Sequence, residues 1–147
     1  MNIKKIVITA LLFFISIVGY SQEWLTNFDD ATAIAQKENK NIFMVFSGSD
    51  WCAPCIKLEK YIWESNDFKQ HANKNWILLK LDFPKRKANK LSKELQSHND
   101  ALAEKYNNNG YFPLVLVLDK NGNVLGETGY KKITAQAYVN ELIAFEK

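Results

Sequence analysis

The apolar run Ile42-Phe43-Met44-Val45-Phe46 leads through the turn Ser47-Gly48-Ser49-Asp50 into Trp51-Cys52-Ala53-Pro54-Cys55, which contains both cysteines of the 147-residue chain. The run is apolar at every position, as is typical of a central parallel strand that is covered on both faces. A helical pattern follows the cysteines over residues 56–64. A CxxC motif between a buried strand and the start of a helix is typical of a redox site.

The position of Cys52 suits a reactive thiol. A thiolate at a helix N-terminus meets unpaired N–H groups and the positive end of the helix dipole, and both stabilise its charge. Cys55 is expected one turn further in, close enough to form a disulfide with Cys52. Pro54 falls in the first helical turn, where its missing N–H costs nothing. A structural disulfide and half of a zinc site are the two alternative interpretations of the motif.

The residues around the motif resemble the thioredoxin superfamily. Trp51-Cys52-Ala53-Pro54-Cys55 is similar to its active site, although Ala53 stands where the best-known members have glycine. Phe112-Pro113, placed before an apolar run, is similar to the family's cis-proline segment. Gly129, before the last predicted helix, stands where the family keeps a glycine. The resemblance covers residues 28–147.

Within the superfamily, the run Cys55-Ile56-Lys57-Leu58-Glu59-Lys60 most resembles the secreted, disulfide-reductase-like branch. The resemblance implies an enzyme of thiol–disulfide exchange in which Cys52 attacks a disulfide of a protein substrate and Cys55 resolves the mixed disulfide. It also implies a monomer that draws electrons from an upstream dithiol reductant. No metal, and no cofactor beyond the redox-active Cys52–Cys55 disulfide, is implied.

The same resemblance implies a substrate site beside the cysteines. The backbone next to the cis-proline would pair with an extended segment of the substrate, and the loop at the family glycine would complete the groove. The expected substrate-binding residues are Trp51, Ala53, Pro54, Phe112, Pro113 and Gly129.

The chain departs from the family pattern in two ways, one of which is that Phe112 and Leu114 stand beside the proline where β-branched residues are common. Many relatives carry a buried aspartate six residues before the first cysteine, where this chain has Phe46. We expect Glu59, one helical turn beyond Cys55, to accept the proton of that thiol instead. The alternative is that Glu59 points outward and pairs with a lysine such as Lys57 or Lys60.

The motif does not determine the direction of exchange. Ala53-Pro54 lacks the histidine of strongly oxidising relatives, and Asp50 adds a negative charge that disfavours the thiolate, so a reductase is expected. An oxidase or isomerase is the second enzymatic interpretation. A non-catalytic binding module with a structural disulfide and a thiol metallochaperone are the others.

Residues 1–21 have the pattern of a secretory signal peptide. Lys4 and Lys5 precede an apolar segment over residues 6–18, and Gly19 and Ser21 stand at −3 and −1 before Gln22. The apolar segment is shorter than the roughly 20 residues of a spanning helix, so no membrane attachment is expected after cleavage. We expect an exported, periplasmic protein whose single domain covers residues 22–147.

Charge gives little information about partners. Without Lys4 and Lys5 the chain has 17 basic residues against 16 acidic ones, a net charge of +1. A basic cluster is expected to form either a solvated helix start or a docking surface for an acidic partner. Its members are Lys85, Arg86, Lys87, Lys90 and Lys93. Nucleic acid is not an expected partner, and both histidines are expected at the surface.

Periodicity predicts an α/β protein with a mixed sheet flanked by helices, in the order α-βαβ-α-ββα. Strands are predicted at 42–47, 76–82, 114–118 and 124–128, with Asn121-Gly122 marking a hairpin between the last two. Helices are predicted from a cap at Asp29 or Asp30, from the motif to about residue 63, at 67–73, at 91–106 and from a cap at Thr134. The resemblance gives this pattern the name thioredoxin fold.

Overall fold

The structure is a computed structural model that describes residues 22–147. The predicted signal peptide at 1–21 lies outside the described residues. Within 22–147, no helix combines the length and the apolar character that crossing a bilayer requires.

Five strands form one mixed sheet in the order β1-β3-β2-β4-β5. Their bounds are β1 Trp24–Leu25, β2 Asn41–Ser47, β3 Trp76–Asp82, β4 Leu114–Leu118 and β5 Val124–Thr128. β1 and β2 run parallel to β3, whereas β4 runs antiparallel to both β2 and β5. The four predicted strands are confirmed. β1 was predicted only as a lead-in packed against the domain edge, because two residues are too few to show a period.

Helices cover both faces of the sheet. They are α1 Phe28–Glu38, α2 Ala53–Leu58, α3 Asn66–Asn75, α4 Lys93–Tyr106 and α5 Ala135–Ala144. A π-helical turn, Glu59–Trp63, continues α2, and a 3₁₀ turn, Lys87–Asn89, precedes α4. The predicted thioredoxin fold is therefore confirmed, with helix ends displaced by one to three residues.

The alternation of side chains along β2 divides the core into two layers. Phe43 and Val45 pack with α2, α3 and α5 on one face, whereas Ile42, Met44 and Phe46 pack with α1 and α4 on the other. All five are almost fully buried. Burial on both faces explains why this strand is apolar at every position.

Local polar groups fix the element ends that position the site. α1 is capped by Asn27, whose side chain accepts from the Asp30 N–H, so the predicted cap at Asp29 or Asp30 is wrong. These two aspartates instead lie in the first turn, where their negative charges interact favourably with the positive end of the helix dipole. Thr134 caps α5 as predicted, with its hydroxyl accepting from the Ala137 N–H.

The hairpin between β4 and β5 is built on Asp119. Its carboxylate accepts from the backbone N–H of Asn121 and of Asn123, and hydrogen bonding to the Asn123 side chain is the main cause that lowers its pKa. Gly122 has a φ of +84°, a conformation that favours glycine. The Asn-Gly hairpin signal is confirmed.

Candidate active site

The two cysteines lie where β2 gives way to α2. Cys52 is the N-cap of α2, and its sulfur accepts from the Cys55 N–H at 3.3 Å. The two sulfurs form a disulfide, with Cα atoms 5.2 Å apart, and both residues are buried. Pro54 is in the first turn of α2, as predicted, and both Pro54 and Ala53 are exposed. The motif thus presents its two intervening residues to solvent over a covered disulfide.

Trp51, which precedes Cys52, is held by residues after β3 and before β4. Its indole N–H donates to the Phe83 carbonyl at 2.7 Å, and its ring lies 5.3 Å from the Phe112 ring between centroids. The Lys85 ammonium lies 3.9 Å from the Trp51 ring centroid, in a cation–π contact. Trp51 nevertheless remains 38% exposed, so it forms part of the surface around the motif.

Gly48 is a site residue that sequence reasoning missed. A Cβ atom at this position would lie 2.3 Å from the Trp51 ring, so only glycine leaves room for the indole. The available signal was the Ser-Gly-Ser turn itself, which was interpreted only as a connection.

The Phe112–Pro113 peptide bond is cis, as predicted. Leu114, the next residue, pairs with Phe46 at the end of β2, so Pro113 lies at the same sheet edge as the cysteines. Phe112 contacts both Trp51 and Phe83, whose ring centroid lies 5.4 Å away. The cis-proline segment and the cysteine motif therefore form one surface.

Gly129 lies beside Pro113, as the resemblance implied. A Cβ atom at Gly129 would lie 3.4 Å from the Pro113 carbonyl oxygen. The Tyr138 hydroxyl donates to the Gly129 carbonyl at 2.8 Å, and burial raises the pKa of Tyr138, which keeps that donor protonated. The loop is thus held against the cis-proline from the core.

Glu59 begins the π-helical turn, and its carboxylate accepts from the Lys80 ammonium at 2.6 Å. The alternative of an ion pair with a lysine is therefore confirmed, although the partner is Lys80. Lys57 lies over the Tyr130 ring and Lys60 over the Tyr61 ring. The Glu59 side chain is 40% exposed, so it lies at the rim of the core. Sequence reasoning missed Lys80, although a lysine inside the apolar strand β3 was an available signal.

Cys55, Glu59 and Lys80 all line one open cavity of about 560 Å³. Phe46, at the position of the family's aspartate, lies in the opposite core layer and packs against Phe83. The charged pair therefore shares a cavity with the second cysteine on the face of the sheet that α2 covers.

Asp50 does not act on the cysteines as a free charge. Its carboxylate accepts from the Lys85 N–H at 2.9 Å, from the Arg86 N–H at 3.0 Å and from the Asn89 side chain at 2.9 Å. The bond from the Lys85 N–H is the main cause that lowers the pKa of Asp50. The negative charge that was predicted to disfavour the Cys52 thiolate therefore also anchors the loop after β3.

The two histidines are half-buried rather than at the surface. His98 accepts from the Phe28 N–H at 3.0 Å, and His71 packs its ring 4.5 Å from that of Trp76. Among residues 22–147, no three His, Cys, Asp or Glu side chains converge as a metal site would require. The described site is the cysteine pair and its surroundings.

Comparison with known proteins supports the same interpretation. A family model described as thioredoxin-like matches residues 23–120. The disulfide bond reductase DsbH of Chlamydia pneumoniae is 29% identical over 126 residues, which are 86% of this chain and 74% of that protein.

Solved structures are similar over most of the chain. A DsbH oxidoreductase superposes with a TM-score of 0.78 at 28% identity, over 85% of this chain and 84% of that one. A thioredoxin from Thermus thermophilus superposes with a TM-score of 0.62 at 15% identity, over 84% and 86% of the two chains. The second likeness concerns the fold alone.

Proposed function

The chain belongs to the thioredoxin-like family, and on that premise we propose that this thiol–disulfide oxidoreductase works as an exported reductase of protein disulfides. The observation that carries the proposal is the Cys52–Cys55 disulfide at the start of α2, next to a cis-proline segment. The name of the Chlamydia pneumoniae relative supports the reducing direction. The redox-active disulfide is its sole proposed cofactor, and a monomer its proposed form.

The proposed reaction begins with both cysteines reduced by an upstream dithiol. The Cys52 thiolate attacks one sulfur of the substrate disulfide, a bond forms between them, and the other sulfur leaves as a thiolate that takes up a proton. The Cys55 thiol then loses its proton and attacks Cys52, which releases the second substrate thiolate. The substrate gains two electrons and two protons, and Cys52–Cys55 returns to the disulfide form.

The environment of each sulfur supports this order of events. As the N-cap, the Cys52 sulfur receives the Cys55 N–H, a contact that favours negative charge in the reduced form. Cys55 lies within the first turn and lines the cavity that also holds a charged pair. Cys52 is therefore the proposed nucleophile and Cys55 the resolving thiol.

Glu59 is the proposed acceptor of the Cys55 proton. It lines the same cavity as Cys55, and the hydrogen bond from Lys80 orients its carboxylate. A carboxylate at a cavity rim exchanges protons with solvent, so it can pass on the proton that it accepts. Because Phe46 carries no ionisable group, the α2 side offers the path for that proton.

The substrate is proposed to bind across Trp51, Ala53 and Pro54, with its backbone beside Pro113. Phe112 and the loop at Gly129 border this groove on its two sides. An extended segment that pairs with the cis-proline backbone would bring its disulfide to Cys52.

Export is proposed on the sequence of residues 1–21, and the periplasm is the proposed compartment. An exported dithiol is oxidised by default, because disulfides persist outside the cytosol. A reductase there needs a donor of electrons, so the proposal includes an upstream dithiol partner. Intact mass of the exported protein should correspond to a chain that begins at Gln22, and retention of Met1 would contradict export.

The direction of exchange is tested by the reduction potential of the Cys52–Cys55 pair, measured in glutathione and dithiothreitol buffers. We expect a value near the roughly −270 mV of thioredoxin, together with catalytic reduction of insulin disulfides. A potential near about −120 mV would instead indicate an oxidase. A potential far below about −300 mV without exchange would indicate a structural disulfide in a binding module.

A further inference from the structure

The loop between β3 and α4 concentrates positive charge beside the active site. Five basic side chains are exposed on it and on the first residue of α4, and within residues 22–147 none forms an ion pair with a carboxylate. We call this set the basic loop; it consists of Lys85, Arg86, Lys87, Lys90 and Lys93. Five like charges within nine residues repel one another, so their proximity has an electrostatic cost.

The basic loop is fastened to the active-site turn. Asp50 accepts from the backbone of Lys85 and Arg86 and from the Asn89 side chain. The neighbouring Trp51 donates to the Phe83 carbonyl, where the loop begins. These bonds hold the charges next to the residue that precedes Cys52, which a merely solvated helix start does not require.

Two carboxylates beside the basic loop accept hydrogen bonds from the protein itself. Asp50 accepts from the loop backbone, and Asp82 accepts from the backbone and the hydroxyl of Ser49 at 2.9 Å and 2.6 Å. Glu94, which follows Lys93, is exposed. Three negative charges therefore offset five positive ones, and the surface beside Trp51 keeps a positive excess. Such a surface attracts anionic groups and raises their rate of encounter.

The basic loop is also continuous with the proposed substrate groove. Phe112, which precedes the cis-proline, contacts Trp51 and Phe83, and Lys85 covers the Trp51 ring. A segment bound beside Pro113 that extends past Trp51 therefore meets the basic loop.

We propose that the basic loop is a docking surface for an acidic segment of the protein substrate, adjacent to the disulfide that is presented to Cys52. This inference rests on the proposed function and adds to it a preference for disulfides that have Asp or Glu nearby in the chain. Charge complementarity identifies the occupant, because the surface offers five ammonium and guanidinium groups against three carboxylates, those of Asp50, Asp82 and Glu94.

The test compares three disulfide-linked peptides that differ only in four flanking residues, which are Glu, Gln or Lys. Their reduction is followed for the unaltered protein and for the triple variant Lys87→Gln/Lys90→Gln/Lys93→Gln. This variant leaves Lys85, which covers Trp51, in place. We expect kcat/KM for the Glu peptide to exceed that for the Lys peptide about tenfold at low salt, with the difference lost in the variant. High salt should also abolish it.

A matched control removes the same charge from the opposite edge of the sheet. Lys37 and Lys74 end α1 and α3, which precede β2 and β3, and Lys147 follows Glu146, which hydrogen-bonds to the first residues of both strands. The length of β2, about 20 Å, separates that edge from the cysteines. The variant Lys37→Gln/Lys74→Gln/Lys147→Gln should keep the preference for the Glu peptide.

Equal rates for the three peptides, or an equal loss of preference in both triple variants, would overturn the docking surface. Turnover of the Gln peptide at the same time would leave the proposed reductase function intact. A Glu peptide without cysteines gives an independent readout. It should shift the amide resonances of Lys87, Lys90 and Lys93 even if exchange fails, and unchanged resonances there would count against the proposal.

Discussion

At the scale of single residues, Cys52 and Cys55 differ through the helix end that they share. Cys52 caps α2 with its sulfur, whereas Cys55 contributes the N–H that this sulfur accepts and faces the cavity of Glu59. The Cys52 sulfur thus accepts an N–H hydrogen bond, whereas the Cys55 thiol lies beside a group that can take its proton. The two positions cannot exchange roles without reversing the direction of the helix.

This asymmetry predicts different outcomes for the two serine variants. Cys55→Ser should accumulate mixed disulfides with substrate, because Cys52 can attack but nothing resolves the product. Cys52→Ser should accumulate none, since the remaining thiol is not at the N-cap and lacks the N–H donor that stabilises a thiolate there. Non-reducing gels and intact mass after incubation with an oxidised protein measure the trapped species. Equal trapping by both variants would contradict the assigned roles.

The role of Glu59 predicts a defect in the resolving step. Glu59→Gln keeps the size of the side chain and its acceptor oxygen for Lys80, but it removes the base. We expect resolution of a preformed mixed disulfide to slow by roughly 10-fold to 100-fold, with a displaced pH profile. Stopped-flow fluorescence across pH measures that step.

Glu64→Gln is the matched control, because Glu64 lines the same cavity. Within the described residues, however, it forms no ion pair with Lys80. This variant should resolve the mixed disulfide at the original rate. An unchanged pH profile in folded Glu59→Gln would leave water or the substrate as the proton acceptor.

At the scale of elements, the turn after β2 and the loop after β3 act as one unit. The turn forms hydrogen bonds, through Ser49, Asp50 and Trp51, with residues 82–89 at and after the end of β3. Asn99 of α4 also donates to the Asp82 carbonyl at 3.0 Å. Periodicity predicted each strand and helix on either side, because those depend on local pattern. The bonds between the loops join residues more than 30 positions apart, and no local period records such a pairing.

The pKa of Asp50 predicts that this unit opens in acid. Hydrogen bonds from the Lys85 N–H and the Asn89 side chain hold the pKa below the usual 3.8. A lowered pKa means that the anchoring is present above the usual value and is lost as pH falls through the lowered one. The amide shifts of Lys85 and Arg86, followed by NMR from about pH 6 to about pH 2, should therefore change with a midpoint below 3.8.

Asp50→Asn should remove this transition from the two amides, because no carboxylate remains to be protonated. Asp119, whose pKa is lowered within its own hairpin, provides an internal reference in the same spectra. A midpoint at or above the usual carboxyl value in the unaltered protein would contradict the anchoring.

At the scale of the whole molecule, the sequence predicted the residues of the site more completely than the residues that hold them in place. The cysteines, the cis-proline and the glycine loop were predicted because the family motif fixes their order along the chain. Gly48 was missed although Trp51 lies only three residues further on, because the position of that ring depends on its bond to the Phe83 carbonyl. Lys80 and Asn99 were missed, since each acts through a contact with a residue distant in sequence. The sheet brings these pairs together, and pattern along one strand does not reveal which neighbour lies beside it.

The C-terminal Glu146 is another long-range support, at the sheet edge opposite to the cysteines. One carboxylate oxygen accepts from the Asn41 side chain at 2.8 Å and from the Trp76 indole at 2.7 Å. It therefore joins the first residues of β2 and β3 to the end of α5. Trp76 is only 3% exposed, so its N–H has little access to water if this acceptor is removed.

Glu146→Ala should accordingly destabilise the fold by about 1–3 kcal/mol, the cost of a buried donor without a partner. Urea unfolding should show a lower midpoint with an unchanged slope, which indicates lost stability rather than altered compactness. Glu146→Gln keeps an acceptor oxygen, so its midpoint should fall between those of the unaltered protein and Glu146→Ala. Glu104→Ala, on the exposed face of α4, should change neither the midpoint nor the slope. Because the active site lies at the opposite edge, kcat/KM for disulfide reduction should stay unchanged under native conditions. A loss of activity without a loss of stability would contradict this and would mean that this edge is coupled to the cysteines.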